Sequence, residues 1–227
     1  MNSFMTPRLL ALAAMVGQNT RIIDVGSDHA YLPIYLAVHG VIHDALATDV
    51  HSGPLSRANL NIERFCVSDI VSTQKADGLD GIDVKQYDTV VIAGMGGELI
   101  ANIIKNANLP NHMKLILQPM TATDFLRKFL ITNGFQIVKE KIVEENDKLY
   151  VIISAVLGYE KDQYTETEYI LGRMNREEPL FPKLLRRETD RIKKQINGHQ
   201  RAVCPLENKI VSLQKILEEM KKCERKS

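Results

Sequence analysis

The segment Arg21-Ile-Ile-Asp-Val-Gly-Ser-Asp-His-Ala-Tyr-Leu-Pro33 passes from an aliphatic run into a polar turn and back into an apolar stretch. Ile22, Ile23 and Val25 surround one carboxylate, Asp24, a pattern that suits a strand buried on both faces. Gly26 to His29 then reads as the turn at the end of that strand, and Ala30 to His39 as the helix that follows. In an open parallel sheet the ligand sits at such a strand end. Gly26 lets the backbone approach a ligand closely, and the free amides at the helix start favour a polar group such as a carboxylate. A tight turn in any α/β protein would use the same residue types.

Working outward, short apolar runs alternate with helical patterns, the signature of a parallel sheet covered by helices. The strands expected after the first are Asp44 to Thr48, Ile70 to Thr73, Thr89 to Ala93 and Lys114 to Gln118. Helices are expected over Leu9 to Val16, Pro54 to Phe65, Glu98 to Lys105 and Thr123 to Thr132. The rhythm then changes. Phe135 to Val143 alternates, Glu144 to Lys148 is a polar turn, and Leu149 to Val156 is a second apolar run; strands joined by so short a link are antiparallel. A parallel α/β sheet that ends in an antiparallel hairpin departs from the dehydrogenase sheet and resembles the Rossmann-like, seven-stranded sheet of class I methyltransferases.

A boundary is expected near Gly158, dividing a core at 1–158 from a helical module at 159–227. The second part breaks at Glu178 to Pro182. Beyond the break, Leu185, Ile192 and Ile196 share one helical stripe, while Ile210, Leu213, Leu217 and Met220 keep a/d spacing. Two helices linked around Ala202 to Pro205 are expected to form an antiparallel coiled coil. Among the 227 residues the net charge is only +1, but residues 159–227 hold 16 Lys and Arg against 12 Asp and Glu, and residues 1–158 hold 13 against 16. A basic module on a mildly acidic core is a possible electrostatic footprint for nucleic acid; a solvated helical surface is the plainer reading. The cysteines, Cys66, Cys204 and Cys223, are unpaired in spacing, so neither a disulfide framework nor a metal site is expected, and a cytoplasmic, reducing compartment is. No membrane span is read.

The candidate ligand residues fall at successive strand ends. Asp49 lies 25 residues after Asp24, where a carboxylate can accept both hydroxyls of an adenosine ribose. Asp77-Gly78 can accept from an exocyclic amine or form an ordinary turn. Ala93-Gly-Met-Gly-Gly97 concentrates glycine where backbone must come close to something or adopt positive φ; Met95 can face a ligand or plug the core. No Lys-Ser or Lys-Thr follows these glycines, which excludes a Walker loop. The full dinucleotide fingerprint is broken by Asp28 and Ala30, which argues against a nicotinamide oxidoreductase. Gln118 has donors and an acceptor for a base edge, or caps the next helix.

Taken together, the run Ile23 to Pro33, Gly53-Pro54, Asp77-Gly-Leu79, Ala93 to Gly97, Gln118-Pro119 and the Pro179-Leu-Phe181 break resemble the bacterial tRNA (adenine-22-N1)-methyltransferase family, TrmK. Thr6-Pro-Arg-Leu9 is similar to that family's Ser-Lys-Arg-Leu opening. The resemblance implies S-adenosyl-L-methionine as cofactor, held by Asp24, Gly26, Ser27, Asp28, His29, Asp49, Val50, Asp77, Gly78, Leu79, Gly94, Met95 and Gly96. It implies tRNA as partner, with Tyr31, Gln118 and Pro119 toward the acceptor base, and Asp28, His29 and Gln118 in the chemistry. The helical module would bind tRNA, and the chain would act as a monomer, with coiled-coil dimerisation as the alternative. The rival functions are a class I methyltransferase of another RNA base, a protein or a small molecule, and a non-catalytic RNA-binding scaffold.

Overall fold

A computed structural model describes residues 4–159, 163–201 and 206–224. The chain divides into two compact units, 1–161 and 162–227.

The first unit is built on one seven-stranded sheet in the order β3-β2-β1-β4-β5-β7-β6. The strands are β1 (Thr20–Val25), β2 (Ile42–Asp49), β3 (Val71–Lys75), β4 (Thr89–Gly96), β5 (Lys114–Thr121), β6 (Phe135–Glu145) and β7 (Lys148–Leu157). Strands β1 to β5 are mutually parallel, and β7 runs antiparallel to both β5 and β6. The position of each strand follows its composition. Central β1 and β4 bury Ile22, Ile23, Val90, Val91 and Ile92 completely, whereas β3 at one edge carries Ser72, Thr73 and Gln74 toward water. The hairpin turn is tighter than Glu144 to Lys148. Only Asn146 and Asp147 lie outside the strands, with φ of 50° and 59°, a left-handed pair that matches the twist of the flanking strands.

Helices α1 (Pro7–Ala13), α2 (Tyr31–Val38), α3 (Ser52–Arg64), α4 (Gly97–Asn106) and α5 (Thr123–Thr132) cover the sheet. Helix α1 begins earlier than the expected Leu9, because Thr6 caps it and Pro7 occupies the first turn. Helix α2 is apolar nearly all round and buries Leu32, Pro33, Ile34, Leu36 and Ala37. Arg127 of α5 and Glu140 of β6 form a wholly buried ion pair at 2.7 Å.

The second unit contains α6 (Glu166–Leu171), opened by a capping box between Thr165 and Glu168, then α7 (Phe181–Gln200) and α8 (Glu207–Glu224). Leu185, Ile192 and Ile196 of α7 are buried, as are Leu213 and Met220 of α8. Thr189 meets Met220 at 3.8 Å, and these two residues are nearly equidistant from the connection, so the helices pack antiparallel. The expected link at Ala202 to Pro205 lies outside the described residues, as does Cys204. Among the described residues no helix is long and apolar enough to cross a membrane, and no cluster of His, Cys, Asp or Glu is placed to hold a metal ion.

Candidate active site

Strand order reverses between β1 and β4, which opens a crevice at the carboxyl edge of the sheet. The sequence-selected residues lie at the carboxyl ends of β1, β2 and β3 or in the segments that follow them, to one side of the reversal, and near the ends of β4 and β5 to the other, with Tyr31 opening α2.

On β1, Asp24 is 8% exposed, and burial pushes its carboxyl up to about 6 against the hydrogen bond from Ser27 Oγ, which is 2.5 Å from Oδ2 and favours the charged form. The loop continues as a rigid extension of the sheet, because the Gly26 and Ser27 amides both donate to Thr48 O at 2.8 and 2.9 Å. Gly26 has φ +76°, and a Cβ there would stand 2.3 Å from Met95 Cε, so the first loop and the β4 loop touch at this glycine. Ala30, which replaces the last glycine of the usual fingerprint, still takes a glycine-like left-handed conformation at φ 54°. The fingerprint is eroded in residue type while its backbone path is retained.

Asp28 is exposed and doubly partnered, accepting from Arg57 Nη2 at 2.6 Å with His29 Nε2 at 3.2 Å. The His29 ring stacks on Tyr31 at 4.9 Å and 10°, and Phe4 packs against Tyr31 from 5.0 Å. Tyr31 therefore serves packing at least as much as any ligand. Asn61, one helical turn after Arg57, donates to His29 O at 3.0 Å, so α3 clamps the loop by two side chains.

Asp49 accepts from the His51 amide at 2.8 Å through Oδ1, beside the 47% exposed Val50. Asp77 is exposed and, with Leu79, Leu99, Asn102 and Ile103, lines a cleft of about 400 Å³. The lining sets carboxylate and amide groups, Asp77, Asp80 and Asn102, beside aliphatic Leu79, Leu99 and Ile103, so it offers acceptors for an amine next to apolar area. Gly78, at φ +61°, packs against Ile103.

The glycines after β4 do different work. Gly94 takes φ +81° and lies open beside Arg8. A Cβ at Gly97 would come within 2.4 Å of Ala122 O, so this glycine permits close passage of the β5–α5 backbone. Gln118 is fully buried, and neither base reading nor helix capping describes its contacts. Its Oε1 accepts from Gly94 N at 3.2 Å and Arg8 Nη1 at 2.8 Å, and its Nε2 donates to Pro119 O at 2.9 Å. Pro119 is buried too.

A methyltransferase-domain family model matches residues 5–153. The tRNA (adenine(22)-N(1))-methyltransferase of Bacillus subtilis is 33% identical over 156 residues, 68% of this chain and 66% of that protein. The chain thus aligns with about two thirds of this curated relative's length. The crystal structure of the B. subtilis m1A22 tRNA methyltransferase TrmK superposes with a TM-score of 0.87 at 27% identity, over 96% of this chain and 98% of the other. A Streptococcus pneumoniae relative, solved in complex with S-adenosyl-L-methionine, is 34% identical with a TM-score of 0.78, over 92% of this chain and 98% of the other. This chain belongs to the TrmK family of tRNA methyltransferases.

Within this TrmK-family site, three participants escaped the reading of the sequence. Arg57 and Asn61 carried a weak local signal, two polar residues one turn apart on a helix that also buries Leu55, Ala58 and Ile62. Arg8 carried only the likeness of Thr6-Pro-Arg-Leu9 to the family's opening, which says nothing of its contact with Gln118, 110 positions away.

Proposed function

We propose that this chain transfers a methyl group from S-adenosyl-L-methionine to N1 of adenine 22 in the D-arm of tRNA. The observation that carries the reading is that likeness to TrmK extends over 96% of the chain, helical second unit included, and is not confined to the methyltransferase core. Asp24, Asp49 and Asp77 stand in order at the ends of β1, β2 and β3, which suits an ammonium, a ribose diol and an adenine amine in turn. The bound cofactor supplies an electrophilic methyl on a sulfonium.

N1 of adenine already carries an in-plane lone pair, so no residue need generate a nucleophile, and orientation supplies the rate, on the order of several kcal/mol. The base must leave its pairing partner and enter the crevice between the β1 and β4 loops. Methylation leaves the adenine cationic until its exocyclic amine releases a proton. Asp28 offers a negative charge to that product, and Arg57 and His29 hold its carboxylate in one orientation. Gln118 acts on the loop and not on the base.

The helical unit is assigned to tRNA phosphates through the basic face of α7, where Arg187, Arg191 and Lys194 line a shallow groove. A monomer working in the cytoplasm is the simplest form of this reading. Incubation of unmodified tRNA with protein and cofactor, followed by nucleoside mass spectrometry, is expected to yield 1-methyladenosine, and a transcript carrying guanine at position 22 is expected to yield none. Methylation of the altered transcript, or of no tRNA, would redirect the reading to another acceptor.

A further inference from the structure

We infer that Arg8 is a positioning residue for methyl transfer, acting through Gln118 on the Gly94 amide; the inference rests on the reading proposed above. Gln118 Oε1 is the junction. It accepts Arg8 Nη1 at 2.8 Å and the Gly94 N–H at 3.2 Å, and the residue is fully buried. Gly94 lies at the end of β4 in a left-handed conformation, where the pairing of β4 with β5 shifts register between Ala93 and Met95. At that shift the regular ladder no longer holds the strand, and the Gln118 side chain does so instead.

The guanidinium of Arg8 is in turn held from several elements. Its backbone N–H donates to Glu145 Oε2 at 3.0 Å, its Nε lies 3.8 Å from Glu145 Oε1, and its plane sits over the Tyr150 ring at 5.1 Å. Nη1 also meets Met120 Sδ at 3.6 Å. Glu145 and Tyr150 flank the β6–β7 turn, so the hairpin is tied through α1 to the loop where methyl transfer is proposed. Glu145, whose side chain is 11% exposed, lies close enough to offset the charge of the guanidinium.

The experiment compares full-length wild type with Arg8→Met, Arg8→Lys, Gln118→Met and the Arg8→Met/Gln118→Met pair. Hydrogen exchange over residues 93–97 and calorimetry with S-adenosyl-L-methionine are read beside steady-state kinetics. Arg8→Met is expected to lower kcat about 10- to 100-fold, the scale of a misplaced reacting group, with KM for tRNA within about 3-fold. The Gly94 amide should exchange about 10-fold faster while amides of Ile22 to Val25 keep their protection. Arg8→Lys should restore part of both effects, since an ammonium can still donate to Gln118. The double variant should be no slower than the worse single one, because both act through one junction.

Unchanged exchange over 93–97, multiplying effects in the double variant, or loss of protection throughout the sheet would each overturn the inference. A raised KM with a shallower salt dependence would instead make Arg8 a phosphate contact, which also overturns it. Exchange and calorimetry need no RNA. If wild type methylates no tRNA, the proposed acceptor falls while these readouts still decide the role of Arg8.

Discussion

Asp24 makes a quantitative case for the cofactor assignment. Its carboxyl is pushed by burial from an ordinary 3.8 to about 6, so the folded chain takes up a proton there at higher pH than the unfolded chain does. Between those two values the folded state binds more protons, and stability from this group falls as pH rises through the window and is constant above it. At 1.36 kcal/mol per pH unit, ionised Asp24 costs the cofactor-free protein about 3 kcal/mol at neutral pH. Asp24→Asn removes that cost and keeps an acceptor for Ser27 Oγ, but buries an amide with one new unmet donor, which takes back about 1 to 2 kcal/mol. The net expectation at pH 7.5 is a gain of about 1 to 2 kcal/mol, or roughly 2 to 8 °C in the melting temperature of a chain this size. The gain should shrink as pH falls below about 6 and turn into a loss of about 1 to 2 kcal/mol near pH 4, where wild-type Asp24 is protonated and only the amide's cost remains. Cofactor affinity should move the opposite way, at least about 10-fold weaker in the variant, and wild-type affinity should decline as pH drops through about 6. Thermal melts of wild type and variant between pH 4 and 8, paired with calorimetry, test both halves. A variant less stable than wild type at pH 7.5 without cofactor, or one that binds cofactor equally well, refutes the reasoning.

Glycine substitutions should distinguish close packing from backbone conformation. Gly97→Ala drives a Cβ to 2.4 Å from a backbone oxygen and should cost about 2 to 3 kcal/mol in denaturant melts, whereas Gly26→Ala meets only flexible Met95 but strains a backbone at φ +76°, so it should cost about 1 to 2 kcal/mol and also weaken cofactor binding in calorimetry. Glu140→Gln removes the carboxylate that buried Arg127 meets at 2.7 Å, with an expected loss of about 3 to 5 kcal/mol; Arg127→Met with Glu140→Leu should recover part of it in the same melts. Asp28→Asn should lower kcat on tRNA, and full activity with unchanged cofactor affinity would remove Asp28 from the chemistry. Replacing Arg187, Arg191 and Lys194 by alanine in the full chain should raise KM for tRNA and flatten its salt dependence while calorimetry with the cofactor is unmoved.

The order of strands and helices was legible because aliphatic runs and amphipathic periods are local properties of the chain. Thr123–Thr132 agrees at both ends, and the strands were found with their ends short by a few residues. Those ends were missed where a strand continues past its β-branched and leucine run, as Met95 and Gly96 do in β4 and Met120 and Thr121 do in β5, since pairing and not strand propensity keeps them extended. Asp24 and Asp49 were legible for the same local reason, each standing at the end of an apolar run, and Asp77 was legible through the turn dipeptide it forms with Gly78.

What the sequence determined by itself was the alternation of elements, the line of ligand-type residues and, through the Gly-Ser-Asp-His-Ala-Tyr-Leu-Pro string, the family. Only the tertiary structure decided which of those residues face one another. It paired Asp28 with Arg57, buried Gln118 beneath Arg8, and set Gly97 against the backbone at Ala122. Such contacts join residues 25 to 110 positions apart, and no periodicity encodes them, because the distance between groups on different elements is set by how strands order in the sheet and not by spacing along the chain.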